Sequence, residues 1–229
     1  MKILPIIFLL YCTINTSVLA EEYDPFEDIN RVTHGFNDVF DDYIFEPVAA
    51  SYMDNVPDFA QGRVSDFFDN LRDVKTLANQ LLQFKIIGGV ETFGRIVVNT
   101  SVGLGGLFDV ASSLNLDSKN EDFGQTLAFW GIPQGPYIVL PLLGPSTLRD
   151  GVGIIVDSGS DAEMINKLSG IGFVSTNALK AIDKRVELFP VSRLLENYDD
   201  SYTFMRSSYI QSRQYDIFDG NPPITDDDF

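Results

Sequence analysis

The sequence predicts an all-α fold in a single domain. Three observations carry this prediction. Apolar residues recur at helical spacing in one stretch after another. Gly and Pro fall between those stretches, where chains turn. The one strand-like run, Tyr137–Leu143, contains Pro141 and has no evident partner strand.

The first helix opens at Asp24-Pro25-Phe26-Glu27. Asp24 can cap it, Pro25 suits its first turn and Glu27 completes a capping box. Ile29, Val32, Phe36, Val39, Phe40 and Tyr43 follow at helical spacing, and Pro47 and Pro57 are expected to interrupt the chain afterwards. Val64, Phe67, Phe68, Leu71, Val74, Ala78, Leu81 and Leu82 mark a second amphipathic helix, with Gly88-Gly89 as its expected break. Val90, Phe93 and Val97 suggest a third, ended or bent by the glycines of Gly103–Gly106. Leu168–Val186 is helical in pattern. So is Tyr202–Phe218, with Asp199 and Asp200 placed before its first turn as the helix dipole favours. There is no internal repeat. These elements form one domain over 21–218, and the acidic end, 219–229, is expected to be disordered.

Between the third and fourth patterns lies the most unusual segment. The 26 residues from Phe123 to Leu148 carry no charge, in a chain of net charge −17. Length alone would allow a membrane span. Pro133, Pro136, Pro141 and Pro145 remove too many N–H groups for a continuous helix, and irregular backbone is not tolerated against lipid. The segment is therefore either buried in protein or lines something.

At the N-terminus, Lys2, the apolar run Ile3–Cys12 and the small residues of Ser17–Ala20 read as a secretory signal peptide over 1–20. Two other readings stay open. One is a buried first strand. The other is a lipoprotein signal acylated at Cys12, although bulky Tyr11 stands where a small residue is wanted. Cleavage after Ala20 removes Lys2 and no acid, which takes the charge from −17 to −18. It also removes Cys12, the only cysteine, and with it any disulfide or thiolate chemistry. Such acidity argues against nucleic acid as a partner and against adsorption to anionic lipid. Any membrane contact must be made by apolar surface.

Catalytic signals are sparse. His34 is the only histidine, so a multi-histidine zinc site is impossible and any Ser-His-Asp chemistry would need it. It lies beside the apolar face of the first helix, where it packs or points to solvent. Gly103-Leu104-Gly105-Gly106 lacks the strand and Gly-Lys-Ser/Thr of a phosphate loop. Asn99-Thr100-Ser101 fits a glycosylation sequon, a motif that arises often by chance. The carboxylates are scattered, and no glycosidase pair stands out. The glycines permit positive φ and close backbone approach. Asp109, Arg149 and Asp150 flank the apolar loops, where each can cap or ion-pair, and together they could hold irregular loops around a cavity.

At these residues the sequence resembles the MlaA/VacJ family of outer-membrane phospholipid-transport lipoproteins. The likeness runs through "DPFEDINR" (Asp24–Arg31), Phe36-Asn37, Pro47–Ala49, "NLRD", "NQLLQ" and "NTSVGLGGLFDVA" (Asn99–Ala111). The longest block is Glu121–Asp150, and "YTFMRSSYIQSR" (Tyr202–Arg213) closes it. The resemblance implies a helical ring in the inner leaflet of the outer membrane, with Gly/Pro-rich loops around a central channel for phospholipid. It implies work beside a trimeric porin and delivery to a periplasmic lipid carrier, with no cofactor and no bond broken. Phe36, Asn37, Asn99, Gly103, Gly105, Gly106, Asp109, Gly135, Pro136, Pro141, Gly144, Arg149 and Asp150 would line or shape that channel. The chain departs from the family at Tyr11, His34, Glu46 and Phe84. Two rival readings are a soluble periplasmic lipid- or ligand-binding protein and a secreted hydrolase. The lone histidine counts against the hydrolase.

Overall fold

A computed structural model describes residues 24–168, 173–195 and 199–223. The expected signal segment, Cys12 and the last acidic residues lie outside them. Asp24 opens the described chain: its carboxylate accepts from the Phe26 N–H at 3.0 Å and from the Asn30 amide at 3.2 Å. Helix α1 (Glu27–Phe40) follows. Glu27 does not serve a capping box but pairs with Arg31, one turn on, at 2.7 Å.

Pro47 does not interrupt the chain as expected. Asp41–Phe45 form a π-helical turn and α2 (Glu46–Asn55) continues from it, with Pro47 in the first turn of α2. A missing N–H is tolerated in a first turn, and the wide π turn gives the ring room. Pro57 does end the run, because the residue before a proline is pushed to extended backbone. Val56 sits at φ −101°, ψ 124°.

Helix α3 (Asp58–Leu82) and helix α4 (Ile86–Ser101) pack together along their length. The break between them is not Gly88-Gly89 but Gln83–Lys85, with Phe84 in the left-handed region at φ 58°. The glycine pair lies inside the first turn of α4. A Cβ at Gly88 would meet the Gln80 side-chain nitrogen at 3.2 Å, so this glycine serves close packing of α4 on α3. Gly103–Gly106 end α4 as expected. The N–H groups of Gly105 and Gly106 cap the Thr100 and Asn99 carbonyls at 2.9 Å each, which the positive φ of both glycines allows.

Helix α5 (Phe123–Phe129) is capped by Asp122, which accepts from the Gln125 N–H at 2.8 Å. The mainly helical expectation holds, but the strand-like run read as lacking a partner does have one. Strands β1 (Tyr137–Leu140) and β2 (Gly144–Thr147) form an antiparallel hairpin in register Tyr137↔Thr147 and Leu140↔Gly144. Pro141 lies in the turn, not in a strand. It takes the first central position of that turn, with Leu142 second at φ 64° and the Leu143 N–H donating to the Leu140 carbonyl. Helix α6 (Leu148–Leu168) was not expected. Helix α7 (Phe173–Leu195) covers most of the Leu168–Val186 pattern and extends past it. Helix α8 (Ser201–Ile217) is capped by Asp200, as the acids before it suggested.

Helices α1, α3 and α4 are amphipathic, but their polarity is inverted. Among the described residues only six apolar side chains are buried, against twenty-three polar or charged ones. On α4, Thr92, Arg95 and Asn99 face inward while Ile87, Val90, Phe93 and Val97 face outward. On α1, Asn30 and His34 are buried while Ile29, Val32, Phe36 and Val39 are exposed. No helix of the described residues is long and apolar enough to cross a membrane.

Candidate functional site

Three of the networks formed by the inward polar faces hold sequence-predicted residues. The first holds the loop after α4. Arg95, 1 % exposed, donates to Asp73 on α3 at 3.0 Å and to Asp109 in the loop at 3.2 Å. It also bonds Ser112 and the Leu116 carbonyl. Asn99 donates to Asp109 at 3.0 Å and accepts from the Ala111 N–H at 2.8 Å. Desolvation pushes the Asp109 carboxyl up, but hydrogen bonds from Ser112, Asn99 and Arg95 outweigh it and hold it at about 2. Within the loop, a Cβ at Gly103 would lie 2.2 Å from the Phe108 carbonyl, and one at Gly106 would lie 2.5 Å from the Asn70 amide. The sequence-predicted Asn99, Gly103, Gly105, Gly106 and Asp109 are thus brought together, around an arginine that sequence reasoning missed.

The second network fixes the hairpin to α1. Asn30 donates to the Tyr137 carbonyl at 3.1 Å and accepts from the Val139 N–H at 2.8 Å. Asn37 donates to the Leu140 carbonyl at 3.0 Å and accepts from the Leu142 N–H at 2.8 Å. The two asparagines act as a third strand on the β1 edge. Asn37, Pro141 and Gly144 therefore meet here. Phe36, its neighbour, is 52 % exposed on the outer face. At the other end of the hairpin, Gly135 has φ 71° and the Pro136 carbonyl accepts from the Leu148 N–H at 3.1 Å, which seats β1 on the start of α6.

The third network sits between α5, α6 and α8. Arg213 donates to Asp122 at 2.6 and 2.7 Å and to Asp150 at 2.9 Å. Asp150 also accepts from Arg149, Thr147 and Tyr209. Burial alone would raise Asp122 and Asp150, but the Arg213 guanidinium holds both below the usual carboxylate range. Beside this network lies a cavity of about 280 Å³, with Lys75, Asp122, Asp150, Asp157, Tyr209 and Arg213 among its walls. Arg149 and Asp150 were anticipated here; Asp122, Arg213 and Tyr209 were not. Their partners are far along the chain, so no local motif marks them.

His34 is buried, with its Nε2 3.0 Å from the Ser201 hydroxyl and 3.4 Å from Asp38. A hydrolytic triad engages serine and carboxylate through opposite ring nitrogens. Here one nitrogen faces both, and the ring packs on Tyr202.

A helical chain with outward apolar stripes, a short hairpin and a polar interior belongs to a known class. Residues 22–216 match the MlaA lipoprotein family, and the chain belongs to that family. It is 34 % identical over 196 residues to the Escherichia coli intermembrane phospholipid transport system lipoprotein MlaA, a match covering 84 % of this chain and 77 % of that one. The Haemophilus influenzae protein of the same name is 31 % identical over 210 residues, with 90 % and 84 % covered. An uncharacterized Rickettsia typhi protein is 32 % identical over 204 residues, with 89 % and 81 % covered. Among solved structures, one described as "Structural basis for maintenance of bacterial outer membrane lipid asymmetry" superposes with a TM-score of 0.74 at 33 % identity. It covers 87 % of this chain and all of its own.

Proposed function

We propose that this protein moves phospholipid out of the outer leaflet of a bacterial outer membrane and passes it toward the periplasm. The observation that carries the reading is the inverted polarity. In water, exposing Ile87, Val90, Phe93 and Val97 while burying Arg95 and Asp73 would cost the fold twice. Within a leaflet the same arrangement is favourable: apolar faces meet acyl chains, and the polar interior offers charged head groups a route that lipid tails do not. In this reading the helices form a ring. The loop held by Arg95 and the hairpin held by Asn30 and Asn37 shape its channel. The protein sits at the periplasmic face of the outer membrane, beside a trimeric porin, and hands lipid to a soluble carrier. Transfer of this kind breaks no covalent bond, in keeping with the geometry around His34.

The test is genetic and quantitative. Cells lacking the protein should accumulate phospholipid in the outer leaflet, and the wild-type chain should reverse this. An unchanged outer leaflet in the deletion strain would overturn the reading. Purification as a soluble, detergent-independent monomer would favour a periplasmic lipid-binding protein instead.

A further inference from the structure

The cavity beside Arg213 is formed where α3, the segment leading into α5, β2, α6 and α8 converge. We propose that it is a head-group site for a phosphate ester bearing a primary amine, the chemistry of phosphatidylethanolamine. The proposal rests on the lipid-transport reading and names the substrate class that reading leaves open.

Size is the first argument. About 280 Å³ has room for a phosphate and a short amine but not for a diacylglycerol body. Acyl chains would have to remain outside it. Charge is the second. The walls carry Asp122, Asp150 and Asp157 against Lys75 and Arg213, so both signs are present with the negative sign in excess. A zwitterion matches such walls, because Lys75 and Arg213 suit a phosphate while Asp157 and its neighbours suit an ammonium. A glycerol head group offers no cation to the carboxylates. A quaternary amine has no N–H to donate, and Tyr209 alone does not make an aromatic cage.

The third argument is an unfilled bond. Arg213 is 8 % exposed, and although its two terminal nitrogens are engaged, its Nε–H has no partner among the described residues. A buried guanidinium N–H left unmade is costly, and it is a donor of the kind that a phosphate oxygen satisfies. Ile154 and Pro145 add apolar wall beside the charges, where the glycerol end of a lipid would sit.

Short-chain lipids test this on the full mature chain in mild detergent. Dihexanoyl phosphatidylethanolamine should bind about tenfold more tightly than dihexanoyl phosphatidylglycerol, the worth of one charge-assisted hydrogen bond. Asp157→Asn keeps an acceptor for the Phe123 N–H, which Asp157 now takes at 3.1 Å, and removes the negative charge. It should abolish the preference by weakening phosphatidylethanolamine, and it should not weaken phosphatidylglycerol, whose net negative charge the carboxylate only repels. Lys75→Gln, on a different helix, should weaken both lipids, and circular dichroism confirms that each variant is folded. Soluble phosphoethanolamine should compete with the lipid. Absence of competition at saturation would move recognition to the acyl chains and overturn the proposal. Binding of phosphoethanolamine without any binding of the lipid would assign the site to the free ester and equally overturn it. Equal affinity for the two lipids, unaltered by Asp157→Asn, would sink the head-group site. If deletion of the protein still enriched the outer leaflet in phospholipid, the transport reading would stand without it. Both would fall if no lipid bound and the leaflet were unchanged.

Discussion

Asn37 stands two helical turns beyond Asn30 on α1, and the two side chains hold successive peptide groups of the same hairpin edge. The spacing places both on one helix face. Each amide supplies a donor and an acceptor, so the Tyr137 carbonyl and the Val139 and Leu142 N–H groups are satisfied by two residues, and the Leu140 carbonyl gains a second donor beside the Leu143 N–H.

Their removal should therefore destabilise the fold unequally. Asn30 is 2 % exposed, so Asn30→Ala strands buried partners and should cost about 2–3 kcal/mol. Asn37→Ala leaves partners that water can reach and should cost about 1 kcal/mol. Urea midpoints in mild detergent, followed by circular dichroism, measure both. Equal losses would contradict the difference in burial.

The glycine loop makes a graded prediction. Gly105 has φ 77° with open space around it, so Gly105→Ala should cost only backbone strain, about 1 kcal/mol. Gly106 combines φ 91° with the Asn70 side chain in the path of a Cβ, and Gly103 has backbone carbonyls there. Gly106→Ala and Gly103→Ala should each cost more, roughly 3 kcal/mol or beyond. Leu107→Ile, roughly isosteric, should stay under about 1.5 kcal/mol. A Gly105 variant as damaged as a Gly103 variant would refute this ranking.

Asp183 gives a pH dependence of unusual sign. Burial raises its carboxyl to about 6, with Glu187 and Asp69 adding repulsion and Lys184 opposing them. The folded chain thus holds this proton more tightly than the unfolded chain, where an aspartate titrates near about 4. The resulting stability is fully present below about 4 and lost as pH rises through about 6. Asp183→Asn should stabilise the protein at pH 7.5 by roughly 1–2 kcal/mol after allowance for solvent screening, and not at pH 4. Melting temperatures of the two proteins across that range decide it.

Membrane retention should depend on the outer face of α1. Val32 and Phe36 are 75 % and 52 % exposed, so Val32→Ser with Phe36→Ser should leave the fold intact. Burying a large apolar side chain contributes about 1.5–3 kcal/mol, so losing two should release much of the protein from the outer-membrane fraction. High salt should release none of the wild type, because an acidic chain is not held by attraction to anionic head groups. Release of folded wild-type protein by salt alone would count against leaflet embedding.

Most helices were legible because the period of an apolar stripe survives whichever way the stripe faces. The direction was not legible from period alone. Val90, Phe93 and Val97 read the same on a core-facing helix as on an outward-facing one. Helix α6 escaped because Gly151, Gly153 and Gly159 resemble breakers. At Gly153 a Cβ would lie 2.6 Å from the Gly124 nitrogen, so that glycine brings α6 against α5 and does not end it. Strand β2, Gly144–Thr147, carries Gly and Pro, which argue against a strand until its partner is known. Of the candidate site, the loop residues around Gly103–Asp109 announced themselves by glycine density. Arg95 did not, because its carboxylates lie 22 residues before it and 14 after it.

The position of Arg213 also bears on when this protein can fold. Its partners Asp122 and Asp150 are synthesised 91 and 63 residues earlier. Until the last helix exists, closing α5 on α6 would bury Asp122 without its cation and leave Asp150 with Arg149 alone, and a buried charge lacking its partner costs about 3–5 kcal/mol. Arg31, paired early with Glu27, gains Asp200 only 169 residues later, and Asp24 likewise gains Tyr202. The ion pairs that fasten α1 and the α5–α6 contact to α8 can thus form only once the C-terminal helix has been made, which makes these contacts late and non-local. A chain that cannot finish folding before it is complete remains threadable for as long as it is being made.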